Sequence, residues 1–140
     1  MTVTLEVLSR EQLPIRSEDD IVVIRRRVRS IAGEQKLDSF ATAAVTTATS
    51  ELTRNAWVHG GGGEATIEQV RENGRIGMRV TFKDDGPGIA DIERVLRGGY
   101  STAKSMGLGL SGSRRLVDEL HIDSQVGHGT TVTFLKWKPF

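Results

Sequence analysis

Two runs that read as strands, Glu64–Arg71 and Arg75–Lys83, meet across Asn73-Gly74, the dipeptide best suited to a two-residue β-turn. No other feature narrows the fold as far. In the second run Ile76, Met78, Val80 and Phe82 fall on one face, while Arg75, Gly77, Arg79, Thr81 and Lys83 fall on the other. A hairpin with one apolar and one polar face predicts an antiparallel sheet covered on one side only. The cover must come from segments with helical period, and two stand out. Ile21, Ile24, Val28 and Ile31 share a face behind a capping-box-like start at Ser17 and Asp20, with Gly33 as an end signal. Phe40, Ala44, Ala48, Leu52 and Ala56 recur every fourth residue in a segment from Asp38 to about Val58. A seam of such small side chains lets a helix lie close against a sheet.

The remaining segments fill in the order. Thr2–Leu8 alternates and reads as a strand, and Gly60–Gly63 cannot form the interior of a helix or strand. A glycine-rich stretch from Gly86 to Gly112 leads into a helix through about Glu119. Leu120–Val126 and Thr130–Trp137 then read as a closing strand pair around Gly127-His128-Gly129. The order β-α-α-β-β-loop-α-β-β does not suit alternating parallel βαβ units. It predicts an α+β fold: a two-layer α/β sandwich with a mixed, mostly antiparallel sheet and helices on one face. At 140 residues the chain reads as a single domain, 1–140.

Composition removes several functions. Nineteen Lys and Arg against eighteen Asp and Glu leave a net charge of +1, too little for a nonspecific binder of nucleic acid or anionic membrane. With no cysteine there is no disulfide scaffold, thiol nucleophile or Cys-ligated metal. No apolar run reaches the roughly 18 residues of a membrane span, and the first residues lack a signal-peptide core, so a cytoplasmic protein is expected. Arg25, Arg26, Arg27 and Arg29 form a basic helix face, either a solvated surface or a dock for an acidic partner.

Three segments can carry chemistry. Glu51 and Asn55, four apart near the end of the second helix, project from nearly the same face. Asn offers a neutral oxygen to a Mg²⁺ shell, and Glu can accept a proton from an attacking hydroxyl; the same pair also serves as a helix-end cap. Asp84-Asp85-Gly86-Pro87-Gly88-Ile89 follows the amphipathic strand. Neighbouring aspartates on a strand point to opposite faces, so these two do not suit one shared ion. One facing the core needs a donor such as a purine amino group, unless the segment is simply a polar turn. Ser105-Met-Gly107-Leu108-Gly109-Leu-Ser-Gly112 opens the last helix, where backbone N–H groups favour phosphate, with Lys104 placed to reach an outer phosphate. Gly98 to Ser105 nearly matches a P-loop, but Ala103 stands where its second glycine belongs. The dinucleotide fingerprint fails because the element order is not βαβ.

In this order the three segments, together with Gly129-Thr130-Thr131-Val132-Thr133-Phe134, resemble the ATP-binding boxes of the GHKL (Bergerat-fold) ATPases, the superfamily of gyrase and the histidine kinases. The shortness of the chain is similar to the stand-alone anti-sigma-factor serine kinases. The stretches Ser50–Asn55, Asp84–Ile92, Gly99–Thr102 and Arg114–Glu119, with the Lys136-Trp137 ending, resemble the switch kinase of the stressosome. The resemblance implies a Bergerat, histidine-kinase-like fold that uses ATP and Mg²⁺. It makes Asp84 the adenine-reading carboxylate supported by Thr130, Asn55 the Mg²⁺ ligand and Glu51 the catalytic base. Gly86, Gly88, Gly107 and Gly109, with Leu108 between the last two, would shape the pocket and cradle phosphates, and residues of about 89–106 would form a lid. Many relatives carry glycine where Ser105 stands.

The implied activity is phosphorylation of Ser or Thr on a STAS-domain protein, after which the kinase binds and activates a PP2C-type phosphatase. Two alternatives accompany it: a kinase that sequesters a sigma factor directly, and a noncatalytic module in which ATP only sets the docking conformation. A homodimer is compatible with either kinase reading.

Overall fold

The computed structural model describes residues 4–92 and 104–139. In chain order the elements are β1 (Glu6–Ile15), α1 (Asp19–Glu34), α2 (Ser39–Val58), β2 (Gly63–Glu72), β3 (Arg75–Asp84), α3 (Lys104–Leu116), β4 (Glu119–Ser124) and β5 (Thr130–Trp137). The strands form one sheet in the order β1-β2-β3-β5-β4. Every neighbouring pair is antiparallel, so the sheet is not mixed. Residues 93–103, most of the expected lid, lie outside the described residues. No described helix is long and apolar enough to cross a membrane.

The β2–β3 hairpin forms as its pattern requires. Asn73 and Gly74 adopt φ of 53° and 75°, the two left-handed positions of a type I′ turn. One face of the hairpin and of β5 buries Ala65, Ile67, Met78, Val80, Phe82, Val132 and Phe134 beneath the helices. Phe82 and Phe134 stack with ring centroids 6.2 Å apart. The helix layer is centred on α2, which packs against α1 on one side and α3 on the other while touching four of the five strands. Its buried stripe is Ala41, Ala44, Val45, Ala48, Leu52 and Ala56. Phe40, expected at the head of that seam, is instead 82% exposed, because the true stripe begins one residue later. Asp38 caps the helix, its Oδ1 accepting the Ala41 N–H at 2.7 Å.

Other boundaries moved for identifiable reasons. Among the described residues the first strand is Glu6–Ile15, running well past the expected Leu8, while Thr2 and Val3 of the expected Thr2–Leu8 lie outside them; pairing with β2 defines the strand, and Ile15 alone within it is fully buried. Pro14 sits within β1 because that strand is at the sheet edge and needs no second ladder of N–H donors. Helix α1 starts at Asp19, with the Asp20 carboxylate accepting the N–H groups of Arg16 and Ser17. It runs past Gly33 and stops where Lys36 turns left-handed at φ 59°, with Leu37 N–H donating to Ala32 C=O. Within its arginine cluster, Arg27 is tied back to Glu11 of β1 at 2.7 Å. Helix α3 ends at Leu116 rather than Glu119, which begins β4.

The outer face of the sheet combines a small buried apolar cluster, Val70, Leu135 and Trp137, with an ion-paired group. Glu68 of β2 pairs across the ladder with Arg10 of β1 and Arg79 of β3. Its Oε2 accepts from Arg10 at 2.8 Å and its Oε1 from Arg79 at 2.7 Å, which leaves the side chain only 5% exposed. Burial pushes the Glu68 carboxyl up, and the two guanidinium groups more than reverse this, holding it below the ordinary carboxylate range. A carboxylate depressed on folding adds stability above its unfolded pKa and loses it as pH falls through the folded value. Glu68→Gln should therefore cost about 1–3 kcal/mol at pH 7 in urea unfolding. The deficit should shrink as pH falls from about 4.5, the ordinary glutamate value. An unchanged midpoint at pH 7 would show the triad to be neutral.

Candidate functional site

Sheet register assembles the site. Ile15 pairs with Gly63, Gly63 with Asp84, Asp84 with Thr130, and Thr130 with Ser124, a single row across all five strands. Asp84 continues the alternation of Met78, Val80 and Phe82, so its carboxylate turns toward the helix layer. There the C-terminal end of α2 lies over it, and Leu52, Asn55, Ala56 and His59 form one wall of a cleft. Phe82, Val132 and Thr130 form the floor; Pro87 to Ile89 and Leu110 of α3 form the opposite wall.

Glycine is required where α2 meets Asp84. A Cβ on Gly60 would fall on the Asp84 carboxyl carbon, and one on Gly86 would stand 2.6 Å from Gly60 Cα. The two glycines therefore stack on the carboxylate. Asp84 Oδ1 accepts the Gly86 N–H at 2.9 Å. At Gly88 the backbone is left-handed, φ 80°, and a side chain would strike the Gln125 carbonyl. The turn it makes is docked on the β4–β5 connection, where Gly127 N–H donates to Pro87 C=O at 2.8 Å.

Burial pushes the Asp84 carboxyl above the ordinary range. The backbone N–H groups of Gly86 and Thr130 pull it back in part, and the neighbouring Asp85 charge pushes it up further. A half-buried carboxylate whose charge is costly is suited to a ligand that brings N–H donors. The two adjacent aspartates do part company: Asp85 lies beyond the strand end, on a groove lined by Arg16, Trp57 and the glycine loop.

The other expected residues are placed unevenly. Asn55 lines the cleft, and its Nδ2 is buried without a protein partner. Its backbone carbonyl accepts from both His59 and Gly60, which anchors the helix end. Glu51 stands one turn earlier, 40% exposed, with Oε1 3.8 Å from Arg54, and does not line the cleft. Gly107, Leu108 and Gly109 lie within α3, whose first turn begins at Lys104, so they do not precede the helix. The side chains of residues 104–109 are outside the described residues, and the phosphate roles assigned there stay expectations. Sequence reasoning missed His59 and Leu110 as cleft walls, and Ser124 entirely. Ser124 comes to the site through its pairing with Thr130 in the closing hairpin.

The donor set fits a nucleotide with a divalent ion. Among the described residues no three His, Cys, Asp or Glu side chains converge. Any ion bound here would draw most of its oxygen shell from phosphate and water, with one protein oxygen such as that of Asn55, which is a Mg²⁺ habit.

Two substitutions probe the geometry without ligand. Gly60→Ala must displace Asp84 or the helix end and should cost about 1–3 kcal/mol in urea unfolding, as overpacking does. Asp84→Asn should do the reverse. A carboxyl raised on folding contributes stability below its unfolded pKa and loses it as pH rises through the folded value. The amide should thus melt above the wild type at pH 7 and match it below about pH 3.8, the ordinary aspartate value. A lower melting temperature at pH 7 would contradict the cost assigned to this charge.

Comparison with known proteins agrees with the geometry. The family described as histidine kinase-, DNA gyrase B-, and HSP90-like ATPase matches residues 41–139. The serine/threonine-protein kinase RsbT of Bacillus subtilis is 42% identical over 123 residues, which is 88% of this chain and 92% of that protein. The anti-sigma F factor of a Geobacillus species (strain WCH70) is 33% identical over 66% of this chain and 67% of its own length. Among solved structures, a chain of the SiaB–SiaC complex from Pseudomonas aeruginosa superposes with a TM-score of 0.55 over 94% of this chain and 91% of that one. At 15% identity it shows the shared fold alone. The chain belongs to the histidine kinase-, DNA gyrase B- and HSP90-like ATPase family, in the branch that holds RsbT and the anti-sigma F factors.

Proposed function

We propose that this chain is an ATP- and Mg²⁺-dependent protein serine/threonine kinase of the cytoplasm that switches partners in a stress-response or sigma-factor pathway. One observation carries the reading. The cleft gathers a carboxylate that burial penalises, Asp84, and a buried amide nitrogen without a partner, Asn55. The kinase activity named for RsbT supports it through 42% identity along nearly the whole chain.

In this reading Asp84 accepts from the adenine amino group, and Thr130 completes the base-reading edge. Asn55 contributes the protein oxygen to Mg²⁺, which when bound neutralises charge on the phosphates. Glu51, partly exposed one turn before Asn55, takes the proton of an incoming Ser or Thr hydroxyl as it attacks the γ-phosphorus and ADP leaves. Exposure suits this role, because the acceptor arrives on another protein. Most of the barrier to phosphoryl transfer is met by positioning and electrostatics, which such a cleft supplies. The partner is a STAS-domain protein, and the kinase released after transfer activates a PP2C-type phosphatase. A second reading, direct capture of a sigma factor, is favoured by the likeness to anti-sigma F factors over two thirds of the chain.

Purified protein with ATP, Mg²⁺ and a STAS partner tests the assignment. Glu51→Ala should slow transfer by about 10²–10⁴-fold while leaving ATP affinity near wild type. Asn55→Ala should slow it at least as much, with the loss only partly recovered by excess Mg²⁺. Asp84→Asn, expected to fold at least as stably without ligand, should raise the Kd for ATP about tenfold or more by removing a charged acceptor. Transfer that persists in both Glu51→Ala and Asn55→Ala would overturn the site. Co-purification of a sigma factor in place of a STAS protein would favour the second reading.

A further inference from the structure

Resting on the assignment of Asp84 and Thr130 to the base, we propose that Ser124 is a positioning residue that sets how this pair reads the purine edge. Ser124 closes β4 at the end of the row that holds Asp84 and Thr130. Its Oγ makes three contacts: it accepts the Ile89 N–H at 2.8 Å, reaches the Gly129 carbonyl at 3.0 Å, and lies 2.8 Å from Thr130 Oγ1.

Donor arithmetic makes this hydroxyl a junction. A serine hydroxyl has one hydrogen and two lone pairs. All three contacts are hydrogen bonds at once only when the Ser124 hydrogen goes to Gly129 and the Thr130 hydrogen goes to Ser124. Thr130 then turns a lone pair, not a hydrogen, toward the cleft. Moving the Ser124 hydrogen onto Thr130 frees the Thr130 hydrogen to donate to the ligand. The polarity of the base-reading hydroxyl is therefore chosen at Ser124. The same atom also ties Ile89, in one wall, to Thr130, in the floor, and so fixes the width of the cleft between them.

Ser124→Ala removes the junction. Thr130 loses its hydroxyl partner and Ile89 its acceptor, so the register of the base against Asp84 relaxes. The effect belongs to the base, not to the phosphates. The experiment compares ATP with inosine triphosphate, which carries the same ribose and phosphates but lacks the 6-amino group, by calorimetric binding in Mg²⁺ to the full chain. The variants are Ser124→Ala, Thr130→Val and the double substitution.

Wild type should prefer ATP. Ser124→Ala should weaken ATP by about tenfold, the scale of one well-placed hydrogen bond, and leave inosine triphosphate within about twofold. Thr130→Val should lose the preference similarly, and adding Ser124→Ala to it should cost little more, since the two act through one bond. Equal losses for both nucleotides in Ser124→Ala, or additive losses in the double variant, would reduce Ser124 to a structural staple and overturn the proposal. Should Ser124→Ala fail to fold, Thr130→Val alone decides, because an ATP preference surviving there removes the role. Absence of any preference in the wild type, with Asp84→Asn binding ATP normally, would instead defeat the base-reading assignment beneath it.

Discussion

A carboxylate held at the end of a sheet beneath the end of a helix is the interaction around which this molecule is arranged. Asp84 reaches that place through register: each of the five strands contributes one residue to its row, from Ile15 through Gly63 and Thr130 to Ser124. A slip of one residue in β3 would turn Asp84 to the outer face and replace it with a neighbour of opposite orientation. The I′ turn at Asn73-Gly74 guards against that slip, and so do the apolar residues that must stay under the helices. The carboxylate is costly to hold there, because burial outweighs the two backbone N–H groups that it receives. Gly60 and Gly86 are where close packing on this group leaves no room for a side chain.

Helix α2 links core and site. Its stripe of alanines with Val45 and Leu52 lets it lie close on the sheet, and that closeness delivers Asn55 and Gly60 to Asp84. The polar groups along the same helix are mostly satisfied internally; the hydroxyls of Thr46, Ser50 and Thr53, for example, bond to carbonyls one turn back. Two buried atoms on it are not, Thr49 Oγ1 and Asn55 Nδ2, and of these residues Asn55 lines the cleft. Buried polar atoms in native proteins normally have partners, so one without them in a cleft marks where a ligand belongs. Stability and function thus pull apart within a few ångströms, and that is the usual signature of a binding site.

Much of this was legible before any coordinates. The hairpin, the two-layer arrangement and the place of Asp84 follow from period-two alternation, which carries side-chain direction with it. Phe40 misled because a four-residue repeat of small side chains fixes a helix face only to within one residue, and burial of Ala41 decided it. The start of β1 was misread because an edge strand buries little; its pairing is made through backbone groups that leave no pattern in side chains. Pro14 hid the strand further. Ser124 was invisible for another reason: a hydroxyl's role depends on neighbours in space, here Ile89 and Gly129, that no spacing brings together. His59 is a helix-end contact, and the helix end is itself a wall of the cleft.

The central claim is that the row through Asp84 reads the base of a nucleotide. A crystal structure with Mg²⁺ and a non-hydrolysable ATP analogue tests it most directly. The account predicts the adenine amino group within hydrogen-bond distance of the Asp84 carboxylate, Thr130 at the same edge, and Asn55 beside the phosphates. An analogue seated elsewhere, or with its base turned away from Asp84, would contradict it.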